Sequence, residues 1–199
     1  MKPVAPTPEE LRKRRARDLD RLDEVWEGEY HVVPAPDWEH QELSGNLLVF
    51  LLVHVTRHHL GRVNHDVNVR VPGSAESDYR VPDLVFVSEA RKAIVGGKWV
   101  EGGPDVVFEI RSPGDETYEK VGFYGAVGVS WLVILNGKES WLEVYRFVGG
   151  RGERVPCGAG GAVHVPPLGV SLRVAGRREV GRPRLKIAST LGDGASGLL

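Results

Sequence analysis

Cysteine is almost missing from this sequence: Cys157 is the only one among 199 residues. A lone thiol excludes an intramolecular disulfide and a zinc site built from several cysteines, and it points to a reducing, cytoplasmic setting. Charge of one sign is missing too, with 26 Lys and Arg against 27 Asp and Glu and a net charge of −1. The whole chain therefore offers no electrostatic excess to phosphate, and any nucleic-acid contact has to rest on local patches. No apolar run approaches the roughly 20 residues of a membrane helix. The opening MKPVAPTPEELRKRRARDLD has no apolar segment of the secretory type. What is there, 41% hydrophobic and 27% charged residues, is the composition of an ordinary globular domain.

Periodicity gives the organisation. Leu11, Arg15, Leu19, Leu22 and Trp26 recur at helical spacing, so a helix is expected from about Pro8 to Trp26. It carries the basic cluster Arg12, Lys13, Arg14, Arg15 and Arg17, which reads either as a solvated face or as a nucleic-acid contact. EYHVV is a short strand, and Asp37 caps a helix expected over Trp38 to Leu60. Its middle, NLLVFLLVHV, is apolar nearly all round, which predicts burial against a sheet. RVNHDVNVRV alternates as one strand, with His65 as a satisfied core histidine. PDLVFV and DVVFEI are further strands, separated by an excursion at SEARKAIV. A helix is expected from Asp115 to Val127, followed by the strand GVSWLVIL and its hairpin partner SWLEVYRFV. Weaker strands continue to about Val174, and the tail loses its apolar periodicity. The organisation expected is an N-terminal helical extension (1–25), one domain (26–175) and a flexible basic tail (176–199). The fold class is mixed α/β, a central mixed sheet flanked by helices with extra C-terminal strands.

The informative feature is a carboxylate where an apolar side chain belongs. In PDVVFEIRS, alternation puts Val106, Phe108 and Ile110 on one face, and Val107, Glu109 and Arg111 on the other. A buried carboxylate needs a cation, a hydrogen-bond network or water. Asp83, at the start of DLVFV, poses the same question. Two such acids on neighbouring strands either share one hard cation, as Mg²⁺ prefers, or pair with arginine at a strand end. Lys120 and Tyr124 are four apart on the following helix, on the face that can look back at Glu109. An ammonium there suits the charge that builds on phosphate during in-line displacement. Arg111 supplies positive charge but is a poor proton acceptor.

These blocks, PDLVFV and GGPDVVFEIRSPGDETYEKVGFYGAVGVSWLVIL, together with EGEYHVVPAPDWEHQELSGNLLVFLL, resemble the Uma-two family of restriction-endonuclease-like proteins. That family belongs to the PD-(D/E)XK nuclease superfamily, and the resemblance covers roughly Trp26 to Val174. It implies a restriction-endonuclease-like core and metal-dependent hydrolysis of phosphodiester bonds, with DNA as substrate. It implies that Asp83, Glu109 and the carbonyl of Ile110 hold Mg²⁺ or Mn²⁺, and that Lys120 takes the lysine role vacated at Arg111. Asp115 and Tyr124 are accessory or capping candidates, and Glu42 on the long helix is a further one.

Other signals are weaker. His54 and His58 are four apart, but HVTRH lacks the zincin glutamate and is not read as a site. GRREVGRPRLK reads as a solubilising tail or a DNA-contacting arm. The rivals to an endonuclease are a nuclease-fold module that binds nucleic acid or protein without turnover, and a homodimeric regulatory protein joined through a sheet edge.

Overall fold

The computed structural model describes residues 7–74, 78–112, 114–136, 141–177 and 183–199. The chain begins with α1 (Pro8–Arg15), β1 (Glu24–Trp26), β2 (Glu29–His31) and α2 (Trp38–Arg57). Next come β3 (Gly61–His65), β4 (Asn68–Arg70), β5 (Tyr79–Arg80), β6 (Leu84–Ser88), β7 (Trp99–Glu101) and β8 (Val106–Ile110). Then α3 (Lys120–Val127) leads to β9 (Trp131–Asn136), β10 (Trp141–Val148) and β11 (Arg151–Arg154). The chain closes with β12 (Val163–Val165), β13 (Val170–Arg177), β14 (Pro183–Ser189) and β15 (Ser196–Leu198).

A six-stranded sheet in the order β11-β10-β9-β8-β6-β3 forms the centre. Strand alternation divides its side chains between two cores. Phe86, Val106, Phe108 and Val133 face one core, shared with Leu43, Leu47 and Leu51 of α2 and with Val170, Leu172 and Ile187 of the four-stranded C-terminal sheet. Val85, Val107, Leu132 and Ile134 face the other, shared with Tyr124 of α3 and with Val69 and Val100 of a five-stranded sheet. This is the mixed α/β architecture expected, and β8 and β9 are parallel, joined through α3. Among the described residues no helix is long and apolar enough to cross a membrane.

Several expectations are corrected. The first helix stops at Arg15 and Glu24–Trp26 is a strand, because Asp23 is buried and gathers Arg14, the Tyr30 hydroxyl and the Val33 N–H. Strand β1 pairs with β2 and with β5. RVNHDVNVRV is two strands in different sheets: Asp66 adopts a left-handed φ of 51° and breaks the run. His65 is exposed and paired with Asp66, so it is not a core histidine. Helix α2 is covered on one side only, leaving Val49, Leu52 and Val53 exposed. The last helix starts at Lys120 rather than Asp115, whose carboxylate instead accepts from the Ser112 and Thr117 N–H groups and closes a turn. Apolar periodicity, not evident in the tail from the sequence, is present over residues 183–199: Pro183–Ser189 and Ser196–Leu198 are strands, and Leu185 and Ile187 alternate inward and are buried with Leu199. Residues 178–182, which carry part of the expected basic arm, lie outside the described residues.

Candidate active site

Strand register brings the two acids together. Leu84 pairs with Phe108 across antiparallel β6 and β8, so the next step outward sets Asp83 opposite Glu109. Facing residues of antiparallel strands have Cα atoms about 4.5–5.5 Å apart. Alternation turns Glu109 to the α3 side, the side of Val107, and the Asp83 charge acts on both Glu109 and Lys120. Asp83 is not an ordinary strand residue: one carboxylate oxygen accepts from the Ile110 N–H and the other lies 2.7 Å from His40 Nε2.

The start of α2 explains how His40 gets there. Asp37 accepts a hydrogen bond from the His40 N–H at 2.9 Å, an N-cap that fixes the first helical turn at the end of β6. Burial disfavours the charged imidazole, but the hydrogen bond and charge of Asp83 outweigh it, and the pKa of His40 is raised. A partner of this kind orients a carboxylate, and losing one typically costs about 10–100-fold in metal affinity or activity. We therefore expect His40→Ala to weaken divalent-metal affinity by about 10–100-fold, read by calorimetry. An affinity equal to wild type would show that Asp83 needs no such support.

Glu109 is buried, and its Oε1 accepts from the Tyr124 hydroxyl and from Lys120 Nζ, the latter at 3.3 Å. Lys120 also reaches Glu24, at 2.8 Å. Glu24 comes from the five-stranded sheet, is itself buried, and is held by the Trp26 indole N–H and the Val81 N–H. Lys120 thus bridges two buried carboxylates from different sheets. Its position depends on α3 lying close to the β10–β11 hairpin. A Cβ on Gly125 would stand 2.0 Å from the Gly150 carbonyl oxygen, so only glycine permits that approach.

Electrostatics follow from this crowding. Burial pushes the Glu109 carboxyl up, Lys120 pulls it down, and Asp83 and Glu24 push it up again, leaving it raised from 4.5 to about 8. Burial would lower Lys120, but the charges of Glu109 and Glu24 prevail and hold it firmly protonated. The Tyr124 hydroxyl is raised by burial and by the Glu109 charge. Between 4.5 and about 8 the folded Glu109 retains a proton that the unfolded chain has released. Stability is then lost as pH rises through that window. His40, also raised, acts with the same sign as pH passes its folded value. Chemical denaturation of the metal-free protein across the window is expected to show a fall of about 1–3 kcal/mol. Glu109→Gln should leave only the His40 part of the slope; an unchanged slope would contradict the assignment.

The other candidates divide. Arg111 turns away towards Asp115, at 3.6 Å, and lies near the Tyr118 and Trp141 rings. Glu42 is exposed on α2, and it is His40 that this helix contributes. In the basic cluster, Arg14 is committed to buried Asp23, while Lys13 and Arg15 pair with Glu9 and Asp20. Arg12 and Arg17 are exposed. Neither Glu24 nor His40 stands out as a site residue in the sequence, although His40 lies in the block EGEYHVVPAPDWEHQELSGNLLVFLL that carries the family resemblance. A hint lay in EVW, where a strand of three residues carries an acid that the fold buries.

A divalent cation suits this donor set. Among the described residues the ion-pair partners of Glu24, Asp83 and Glu109 are Lys120 and His40, and burial, with the charges of Asp83 and Glu24 added to it, drives the Glu109 pKa upward. Hard oxygen donors of this kind match Mg²⁺ or Mn²⁺.

A family model described as "Uma2: Putative restriction endonuclease" matches residues 8–175. The chain belongs to the Uma2 family. Among solved structures, this Uma2 chain is similar to a protein from Anabaena variabilis ATCC 29413 described as "a putative nuclease belonging to DUF820". The two share 19% identity with a TM-score of 0.60, over 73% of this chain and 82% of the other, and the likeness establishes a shared fold. No curated protein matches the chain. The Uma2 match begins at Pro8 and so includes both His40 and Glu24, the latter inside the segment expected from the sequence to be a helical extension.

Proposed function

We propose that this Uma2 protein is a Mg²⁺- or Mn²⁺-dependent endonuclease acting on DNA. The observation that carries the reading is Lys120 held beside Glu109, within reach of the Asp83 charge. Asp83, Glu109 and the Ile110 carbonyl are the residues that would hold the ion. Bound there, the ion supplies a water of lowered pKa and charge for the scissile phosphate. The remaining work falls to the chain. His40 fixes the Asp83 carboxylate, and the Tyr124 hydroxyl fixes Glu109 Oε1. Lys120, protonated throughout the neutral range, acts as a fixed donor that neutralises negative charge as water adds to phosphorus and the P–O bond to the leaving oxygen breaks. A general base role does not suit an ammonium so stabilised.

One observation favours a module without turnover: Lys120 lies closer to Glu24 than to Glu109, at 2.8 Å against 3.3 Å. A closed ion-pair cluster of that kind can be purely structural. Incubation with supercoiled plasmid separates the two readings. The endonuclease yields nicked or linear DNA with Mg²⁺ or Mn²⁺ and none with EDTA. DNA retention without any cut, metal present, would overturn the catalytic reading in favour of the binding module. RNA assayed in parallel tests the choice of substrate.

A further inference from the structure

The far end of α2 carries a second cluster, remote in chemistry from the acidic site. His54 is buried, and its Nε2 lies 2.7 Å from the Leu168 carbonyl oxygen. A carbonyl only accepts, so Nε2 must carry the ring proton and Nδ1 is left with its lone pair. That Nδ1 is buried and has no hydrogen-bond partner, one of three such side-chain atoms among the described residues. One helical turn on, His58 Nε2 lies 2.8 Å from Asp193 Oδ2, in the connection between β14 and β15. Asp193 is itself oriented, since its Oδ1 accepts from the Ala195 N–H at 3.1 Å. A ligand atom from each of His54, His58 and Asp193 lies within 4.8 Å of the others.

We infer that His54, His58 and Asp193 form a Zn²⁺ site that clamps the end of α2 to the C-terminal sheet. Two imidazoles and one carboxylate are the ligand types zinc selects, with water completing a tetrahedron. Ligands about 2.0–2.1 Å from an ion stand roughly 3.3 Å apart, so the cluster needs to contract by up to about 1.5 Å. The Leu168 carbonyl supplies the partner that metal-bound histidines have on their second nitrogen, fixing tautomer and ring orientation. Arg57 is the opposing feature: its Nη1 lies 3.3 Å from Asp193 Oδ2 and has to swing aside. Its side chain is 53% exposed, so it can do so into solvent. Nitrogen donors also separate this site from the all-oxygen set at Asp83 and Glu109, which favours Mg²⁺. A zinc clamp would join α2 to the Pro166–Leu168 turn and the β14–β15 connection at one point.

Calorimetry with Zn²⁺ on the full chain in excess Mg²⁺, repeated in Cys157→Ser to remove the exposed thiol, tests the site. One Zn²⁺ per chain is expected. His58→Ala and Asp193→Asn should each weaken binding at least about tenfold. Zinc at about a hundredfold excess over its dissociation constant should raise the wild-type thermal midpoint by on the order of 5 °C, and the variants' by less. Both variants alter partly covered surface groups, and their metal-free midpoints report whether they fold. Absence of stoichiometric binding, or binding unchanged in both variants, would overturn the proposal. So would zinc binding that disappears in Glu109→Gln and persists in His58→Ala. Plasmid cleavage is a separate readout, so failure here leaves the acidic site untouched.

Discussion

Glu109→Gln is expected to lower metal-dependent plasmid cleavage by at least about 10³-fold while leaving the protein folded. The magnitude follows from losing the central carboxylate donor, which weakens the ion and removes Lys120's catalytic counter-ion together; single electrostatic contacts at such sites are commonly worth about 10²–10³. Folding should survive because glutamine preserves shape and can still accept from the Tyr124 hydroxyl and Lys120. It also removes a carboxyl whose charged form burial already disfavours. Circular dichroism and thermal unfolding check the second half of the expectation. Cleavage within a few-fold of wild type would show that Glu109 is a structural acid.

Lys120→Met should have the larger effect on stability. Its ammonium, 13% exposed, stands between the Glu24 and Glu109 carboxylates, which are 1% and 5% exposed. Methionine keeps much of the volume and removes the charge, so two buried carboxylates lose their shared cation. Breaking a buried pair in this way typically costs about 3–5 kcal/mol. Part of that loss should be relieved by protonation of Glu109, whose pKa then rises further, and part by Mg²⁺ or Mn²⁺ supplying the missing positive charge. Urea unfolding with and without the divalent ion reads both effects. Cleavage should fall by about 10²–10³-fold even with metal saturating, because the fixed donor is gone. A variant as stable as wild type would mean that the Lys120 contacts are loose and carry no catalytic weight.

The acidic site was legible where local periodicity governs. Two-residue alternation turns Glu109 away from Phe108 and Ile110, and the core partition agrees. Helical register put Lys120 and Tyr124 on one face, and both reach Glu109. Glu24 was not legible, because its role depends on β1 of the five-stranded sheet being brought to Lys120 of α3, which no local pattern encodes. His40 depends similarly on the Asp37 cap meeting the end of β6.

The same division runs through the fold. RVNHDVNVRV keeps an unbroken alternation, yet one left-handed residue, Asp66, sends its halves into separate sheets. The C-terminal strands were hidden by glycine and arginine around them, although Leu185 and Ile187 alternate with Lys186 and Ala188 and are buried. The basic cluster near the start advertised phosphate binding until Asp23, invisible as a buried acid in sequence, claimed Arg14.

The central claim is that Asp83 and Glu109 share one divalent cation. Anomalous diffraction from crystals grown with Mn²⁺ tests it most directly. A Mn²⁺ peak is expected within ligand distance of both carboxylates, on the order of 2.1 Å, and of the Ile110 carbonyl. Crystals saturated with Mn²⁺ but lacking a peak there, with Lys120 still spanning Glu24 and Glu109, would contradict it.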